Sequence, residues 1–307
     1  MNWYCWYRWP FEGRTQAPEH PPIEKFFMRI IFLAVDDEFA GEMQRYIYDQ
    51  HPEWVVGSVL ATQPIYKHTP PQAIAMVLKK SGPRYLVEMA KMKILRRLMG
   101  DSTRGDTDPV SPSELAEKHS VPTHLSGNIN SDESLAWMRD LEPDLVLSTN
   151  FSHYVGKAAR EVAKVGSWNL HKSYLPYNRG MAPSFFALLN DDPHAGVTLH
   201  VLEKGFDTGA IVDQRKVPMN QGDTVYDLNL ASSTTGGEML AEVLETPLAE
   251  IVATPQPDGD WPEHTYPSPA EIKRFMQQGH AFDKWTLSDL RGLNAKDTID
   301  GLKGFFR

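Results

Sequence analysis

Short apolar runs and longer stretches of helical period alternate along this chain. Residues 29–35, 54–60 and 144–148 are continuous apolar runs with polar flanks, the pattern of strands buried on both faces of a parallel sheet. Helical period fills intervals between them, at 38–49, at 113–119 after a polar start, and at 131–141, entered through Ser131 and Asp132. A longer helix is predicted over 224–244, with Thr224 or Asp223 as its cap. Residues 121–125, 167–171, 196–202 and 210–219 read as further strands. The β-α-β opening predicts an α/β fold: a doubly wound, mostly parallel, Rossmann-like sheet with its site at the carboxyl ends of the strands and a small C-terminal appendage.

The first strand–helix turn has no G-x-G-x-x-G. It carries Asp36, Asp37 and Glu38 instead, three acids that would repel a pyrophosphate, so a dinucleotide cofactor is not expected. Residues 71–100 have a helical period broken at Gly82-Pro83 and are rich in methionine (Met76, Met89, Met92, Met99). Lys79, Lys80, Arg84, Lys91, Lys93, Arg96 and Arg97 make this the one basic region. A solvated face is favoured there over a site for acidic ligands or a membrane surface, and a subunit contact, as in a homodimer, is a further reading. Residues 254–260 read as a linker, and 261–307 as a small C-terminal region with one helix at 269–278 and short elements around Trp285 and Leu290. Residues 1–27 are aromatic but interrupted by prolines and lack an apolar h-region. They are expected to be an extension or an over-long start before Met28, the alternative being that Trp3, Trp6 and Trp9 pack on the core. Residues 28–250 are the expected catalytic domain.

Composition narrows the function. With 307 residues, 41% hydrophobic and 23% charged, the chain can bury a substantial core, and its net charge of −9 opposes general nucleic-acid binding. The single cysteine, Cys5, excludes an internal disulfide framework and any cysteine-rich zinc site, which suits a reducing cytoplasm. No apolar run approaches the roughly 20 residues of a membrane span. No metal is expected.

The densest chemistry lies in residues 166–209. Side chains on a strand repeat every second residue, so Asn169 and His171 share a face. Pro176, Asn178, Arg179, Gly180 and Pro183 then predict a structured loop, and after the next strand Asp207 stands between Gly205 and Gly209. An amide donor, a group titrating near neutrality and a carboxylate so placed mark a candidate site at a strand end, where loops carry chemistry.

The pattern N-L-H-x-S-x-L-P-x-x-R-G-x-x-P, followed by G-V-T-x-H and D-T-G-x-I, resembles the folate-dependent formyltransferases, more loosely from about Met28 to Leu244. Leu175, Pro176, Arg179 and Gly180 are similar to the tRNA and sugar-amine branches rather than the purine branch. The resemblance implies 10-formyltetrahydrofolate as formyl donor. Asn169 would donate to the oxyanion, His171 would stabilise it and shuttle a proton, and Asp207 would orient His171 and take the amine proton. It implies that loops 152–155 (Ser152, His153, Tyr154, Val155) and 203–206 (Glu203, Lys204, Gly205, Phe206) hold the pterin. Ser173 caps its loop or touches the acceptor; Arg179 positions the loop or meets an acceptor phosphate. His200 is expected only to face its strand neighbours. The tail is shorter than the domain with which the tRNA branch grips tRNA, so a small amine, such as an amino sugar nucleotide or a biosynthetic intermediate, is the favoured acceptor. The alternatives are methionyl-tRNA and water, the latter making the chain a formyltetrahydrofolate hydrolase.

Overall fold

The computed structural model describes residues 27–63, 65, 67–99 and 110–285. The readings made for residues 1–26, for Lys93, Arg96 and Arg97, and for the element around Leu290 lie outside the described residues or side chains.

In chain order the elements are β1 (Ile30–Ala34), α1 (Glu38–Gln50), β2 (Val55–Ala61), α2 (Pro70–Met99), α3 (Pro112–Lys118), β3 (Thr123–Ser126), α4 (Asp132–Asp140), β4 (Leu145–Thr149) and α5 (Lys157–Arg160). They continue with β5 (Gly166–His171), β6 (Arg179–Gly180), α6 (Pro183–Leu189), β7 (Ala195–Val201), β8 (Ile211–Val217), α7 (Val225–Leu244), β9 (Glu263–His264) and α8 (Pro269–Gln277). Seven strands form one sheet in the order β3-β2-β1-β4-β5-β7-β8. The first five run parallel, whereas β7 is antiparallel to both β5 and β8. The chain winds outward from β1 through β2 to β3 and restarts on the other side at β4. The carboxyl ends of β1 and β4 therefore flank a switch point, where open α/β sheets bind ligands.

Strand alternation builds a core on each face. Ile30 and Phe32 pack with Met43, Ile47, Met239 and Leu240 of α1 and α7. Ile31 and Leu33 point the other way, to Val59, Leu135, Met138 and Val146. A third cluster joins Val77 and Tyr85 of α2 to Phe185 of α6 and to Ile272, Phe275 and Phe282, so the described part of the C-terminal region packs on the body.

The helix starts follow local chemistry. Asp37 caps α1 by accepting from Ala40 N, Ser131 caps α4, and Thr224 caps α7 in a capping box with Asp227. Gly82, at φ 77° and ψ 174°, interrupts α2 at the expected break. Lys79, Lys80 and Arg84 are exposed and Lys91 pairs with Glu88, as for a solvated basic face. Helix α6 was not foreseen. Pro183 reads as a breaker, but at the first helical position its fixed φ and missing N–H are no obstacle.

Candidate active site

Strands β5 and β7 carry the site. Their register sets Asn169 opposite His200 and His171 opposite Thr198, so four polar side chains share one face of the sheet. Thr198 Oγ1 donates to Ser173 O (2.7 Å) and accepts from Leu175 N (3.1 Å), which holds the loop after β5 against β7. That loop contains the cis Leu175–Pro176 peptide.

Asp207, in the left-handed region at φ 51°, reaches back to this patch. Its Oδ2 accepts from Gly180 N at 2.9 Å and lies 3.5 Å from His171 Nδ1. Its Oδ1 lies 3.4 Å from both His200 Nε2 and Asn169 Nδ2. Asn169, His171 and Asp207 are thus brought together, with His200 as a fourth member that is 1% exposed. Burial alone would raise the Asp207 carboxyl, but His171, the hydrogen bond and charge of His200, and Gly180 N outweigh it and hold the group well below the usual carboxylate range. Burial pushes the His171 imidazole down, partly offset by Asp207. At neutral pH the pair therefore rests as carboxylate and neutral imidazole. His171 Nε2 lies 3.2 Å from Asn178 O, so the imidazolium has an acceptor at each nitrogen. The Asn169 amide faces Asp207 and also His200 Nε2, at 3.2 Å; to donate to an oxyanion it exchanges one of these long contacts.

At the switch point Asn150 adopts φ 54°, a conformation that asparagine tolerates. Its Nδ2 donates to Asp37 Oδ2 (2.7 Å), and its Oδ1 accepts from Lys172 Nζ (3.2 Å). Burial pushes the Asp37 carboxyl up and the Lys172 ammonium down, each partly offset by the other. Asp36 accepts from Ser113 N and Oγ. Two of the three turn acids therefore have structural bonds. Among the described residues no group of three or more His, Cys, Asp or Glu is placed to hold a metal, and no helix is long and apolar enough to cross a membrane.

Residues 100–244 match the family model described as formyl transferase. The match covers a little under half of the chain, which is similar to the formyl transferase family there. The chain is 33% identical over 136 residues to the methionyl-tRNA formyltransferase of Halothermothrix orenii, covering 44% of this chain and 43% of that protein. The corresponding enzyme of Citrifermentans bemidjiense is 30% identical over 165 residues, covering 53% and 52%. The chain spans about half the length of the curated relatives it matches. Among solved structures, glycinamide ribonucleotide transformylase 1 from Symbiobacterium toebii superimposes with TM-score 0.50 at 19% identity, over 75% of this chain and 91% of that one. Phosphoribosylglycinamide formyltransferase from Bacillus halodurans does so with 0.50 at 16%, over 70% and 93%. These likenesses show the formyltransferase fold.

The two loops expected to hold the pterin meet through Tyr154. Its Oη donates to Lys204 O (3.4 Å), and its ring stands edge-on to Phe206 at 6.0 Å. Tyr154 is 36% and Phe206 55% exposed, so a flat apolar ligand finds two open rings there, while Glu203, Lys204 and Gly205 are exposed around them. Val155 instead packs in the core with Val59 and Leu135, and its carbonyl accepts from Arg160 Nη1. Ser152 Oγ donates to Gln63 O (3.0 Å), and His153 is buried with its ring tilted against Phe151. Asn130 fixes the first loop from below: Nδ2 donates to Tyr154 O and Oδ1 accepts from Gly156 N.

The two residues expected to touch the acceptor or position its loop, Arg179 and Ser173, diverge. Arg179 spends its guanidinium on Gln256 Oε1, at 2.6 Å from Nη2. Ser173 is 3% exposed, its Oγ has no partner among the described residues, and it lines a cavity of about 210 Å³ with Lys172, Tyr174, Tyr177, Asn178 and Asp192. Sequence reasoning missed His200 and Asn178 as neighbours of the charged pair. The signal for His200 was the two-residue spacing from Thr198; for Asn178 there was none.

Proposed function

We propose that this chain transfers a formyl group from 10-formyltetrahydrofolate to the primary amine of a small acceptor, such as an amino sugar nucleotide. The observation that carries the reading is the convergence of Asn169, His171 and Asp207 at the carboxyl end of β5, beside the exposed rings of Tyr154 and Phe206. These rings and the main chain of both loops fit a pterin. When bound, the folate supplies the formyl carbon. Asn169 presents an N–H to the negative charge that gathers on the formyl oxygen, and His171 does so once Nε2 exchanges its contact with Asn178 O, donors of a kind worth a few kcal/mol where they have been removed. Asp207, ionised at rest, takes the amine proton directly or through water and passes it to the neutral His171, and the imidazolium so formed gives a proton to the leaving nitrogen. The net charge of −9 disfavours a tRNA as acceptor.

The test is release of tetrahydrofolate with no amine, with amino sugar nucleotides and with initiator methionyl-tRNA, followed by mass spectrometry for the formamide. Release that depends on the small amine is expected. Release without any amine points to the hydrolase, and release with the tRNA alone to the tRNA acceptor; either outcome overturns the proposal.

A further inference from the structure

We infer that Gln256 is a positioning residue for Asp207, and that the strap carrying it, residues 254–264, completes the active site from outside the family-matched region. The inference rests on the formyl-transfer reading of Asp207.

The geometry is that of a four-point clamp. Gln256 Nε2 donates to Asp207 O (2.7 Å) and Gly209 O (2.8 Å), two carbonyls of the turn that presents the carboxylate. Its Oε1 accepts from Arg179 Nη2 (2.6 Å) and Nε (3.3 Å). Gly180, the next residue after Arg179, donates its N–H to Asp207 Oδ2. The Arg179-Gly180 pair therefore holds the acid twice: its main chain through Gln256, its side chain directly.

The strap is tied at both ends. Thr254 and Ile211 exchange backbone hydrogen bonds of 2.7 Å each. Farther on, β9 pairs with β6, Met181 N donates to His264 O (2.9 Å), and the His264 ring stacks on Phe186 at 3.7 Å. Gly180, at φ 86°, permits this approach, because a Cβ there would stand 2.3 Å from His264 O.

The clamp bears on chemistry because Asp207 is strained and its key contact is long. A non-glycine residue at φ 51° stays there only where its surroundings hold it, and its Oδ2 is already 3.5 Å from His171 Nδ1. A slackened turn would lengthen that contact, and misplacement by about 1 Å can cost on the order of 10² in rate.

Two variants separate the halves of the clamp. Gln256→Glu keeps an oxygen for Arg179 but removes both donors to the turn; Gln256→Met removes everything at similar length. Both are expected to lower kcat by about 10- to 100-fold with little change in the dissociation constant for the folate. Amide hydrogen exchange over 207–210 should accelerate in both. The double variant Asp207→Asn/Gln256→Met should be no slower than Asp207→Asn alone, because a positioning residue has nothing left to position, whereas independent losses multiply. Multiplying effects, wild-type turnover in Gln256→Glu, or unchanged exchange over 207–210 would overturn the inference. If one variant does not fold, the other carries the test. The exchange measurement needs no substrate, so failure of the formyl-transfer reading is distinguishable from failure of the clamp.

Discussion

Asn169 and His200 face each other in register across β5 and β7, with Nδ2 of the amide 3.2 Å from Nε2 of the ring. With its proton on Nε2, the His200 ring donates toward Asp207 Oδ1 at 3.4 Å. His200 thus helps to hold Asp207 ionised from the side opposite His171. His200→Leu should raise the Asp207 titration toward its ordinary range and lower kcat by about 10-fold, since a positioned proton acceptor is worth 10² or more in all. The pH profile of kcat/KM checks this; an acid limb that does not move refutes it.

Asp207→Asn keeps the shape and removes the charge. It should cost at least as much as Asn169→Ala, which removes a donor and should lower kcat by about 10² at every pH. The acidic limb reports the Asp207–His171 pair, a joint property, and should vanish in Asp207→Asn alone. Matched profiles for the two variants would contradict the assigned roles.

Tyr154 and Phe206 are exposed rings on two different loops, edge-on to each other. Tyr154→Ala and Phe206→Ala should each weaken tetrahydrofolate binding by about 10-fold, with thermal midpoint unchanged, because little buried area is lost from the protein itself. Isothermal titration decides the point.

Acid should destabilise the fold before the carboxylates titrate. Burial lowers His171, His153 and His264 from the ordinary value of 6.5. As pH falls through 6.5 the unfolded chain takes up protons that the folded chain still refuses, so stability declines on that side and is level above it. Asp207 has the same sign at lower pH: its stabilisation is present above 3.8 and is lost as pH falls through its depressed folded value. The urea midpoint should be lower at about pH 5.5 than at about pH 7.5. An equal midpoint at both would contradict the burial of these rings in their neutral form.

Local chemistry made much of the chain legible from its sequence. Continuous apolar runs marked β1, β2 and β4 because a strand covered on both faces needs no polar side, and the strand period put Asn169 and His171 together before any partner was known. Thr224 and Ser131 announced helix starts through bonds that span three residues. Pro183 misled because its meaning depends on position: the same residue ends one helix and opens another. Tertiary structure alone decided which groups surround the acid. His200 joins through the antiparallel register of β5 and β7, 31 residues after Asn169, and Gln256 reaches Asp207 from 49 residues away. No periodicity spans such separations. What brings these side chains together is the closing of the sheet and strap over one core, where most buried donors and acceptors find a partner.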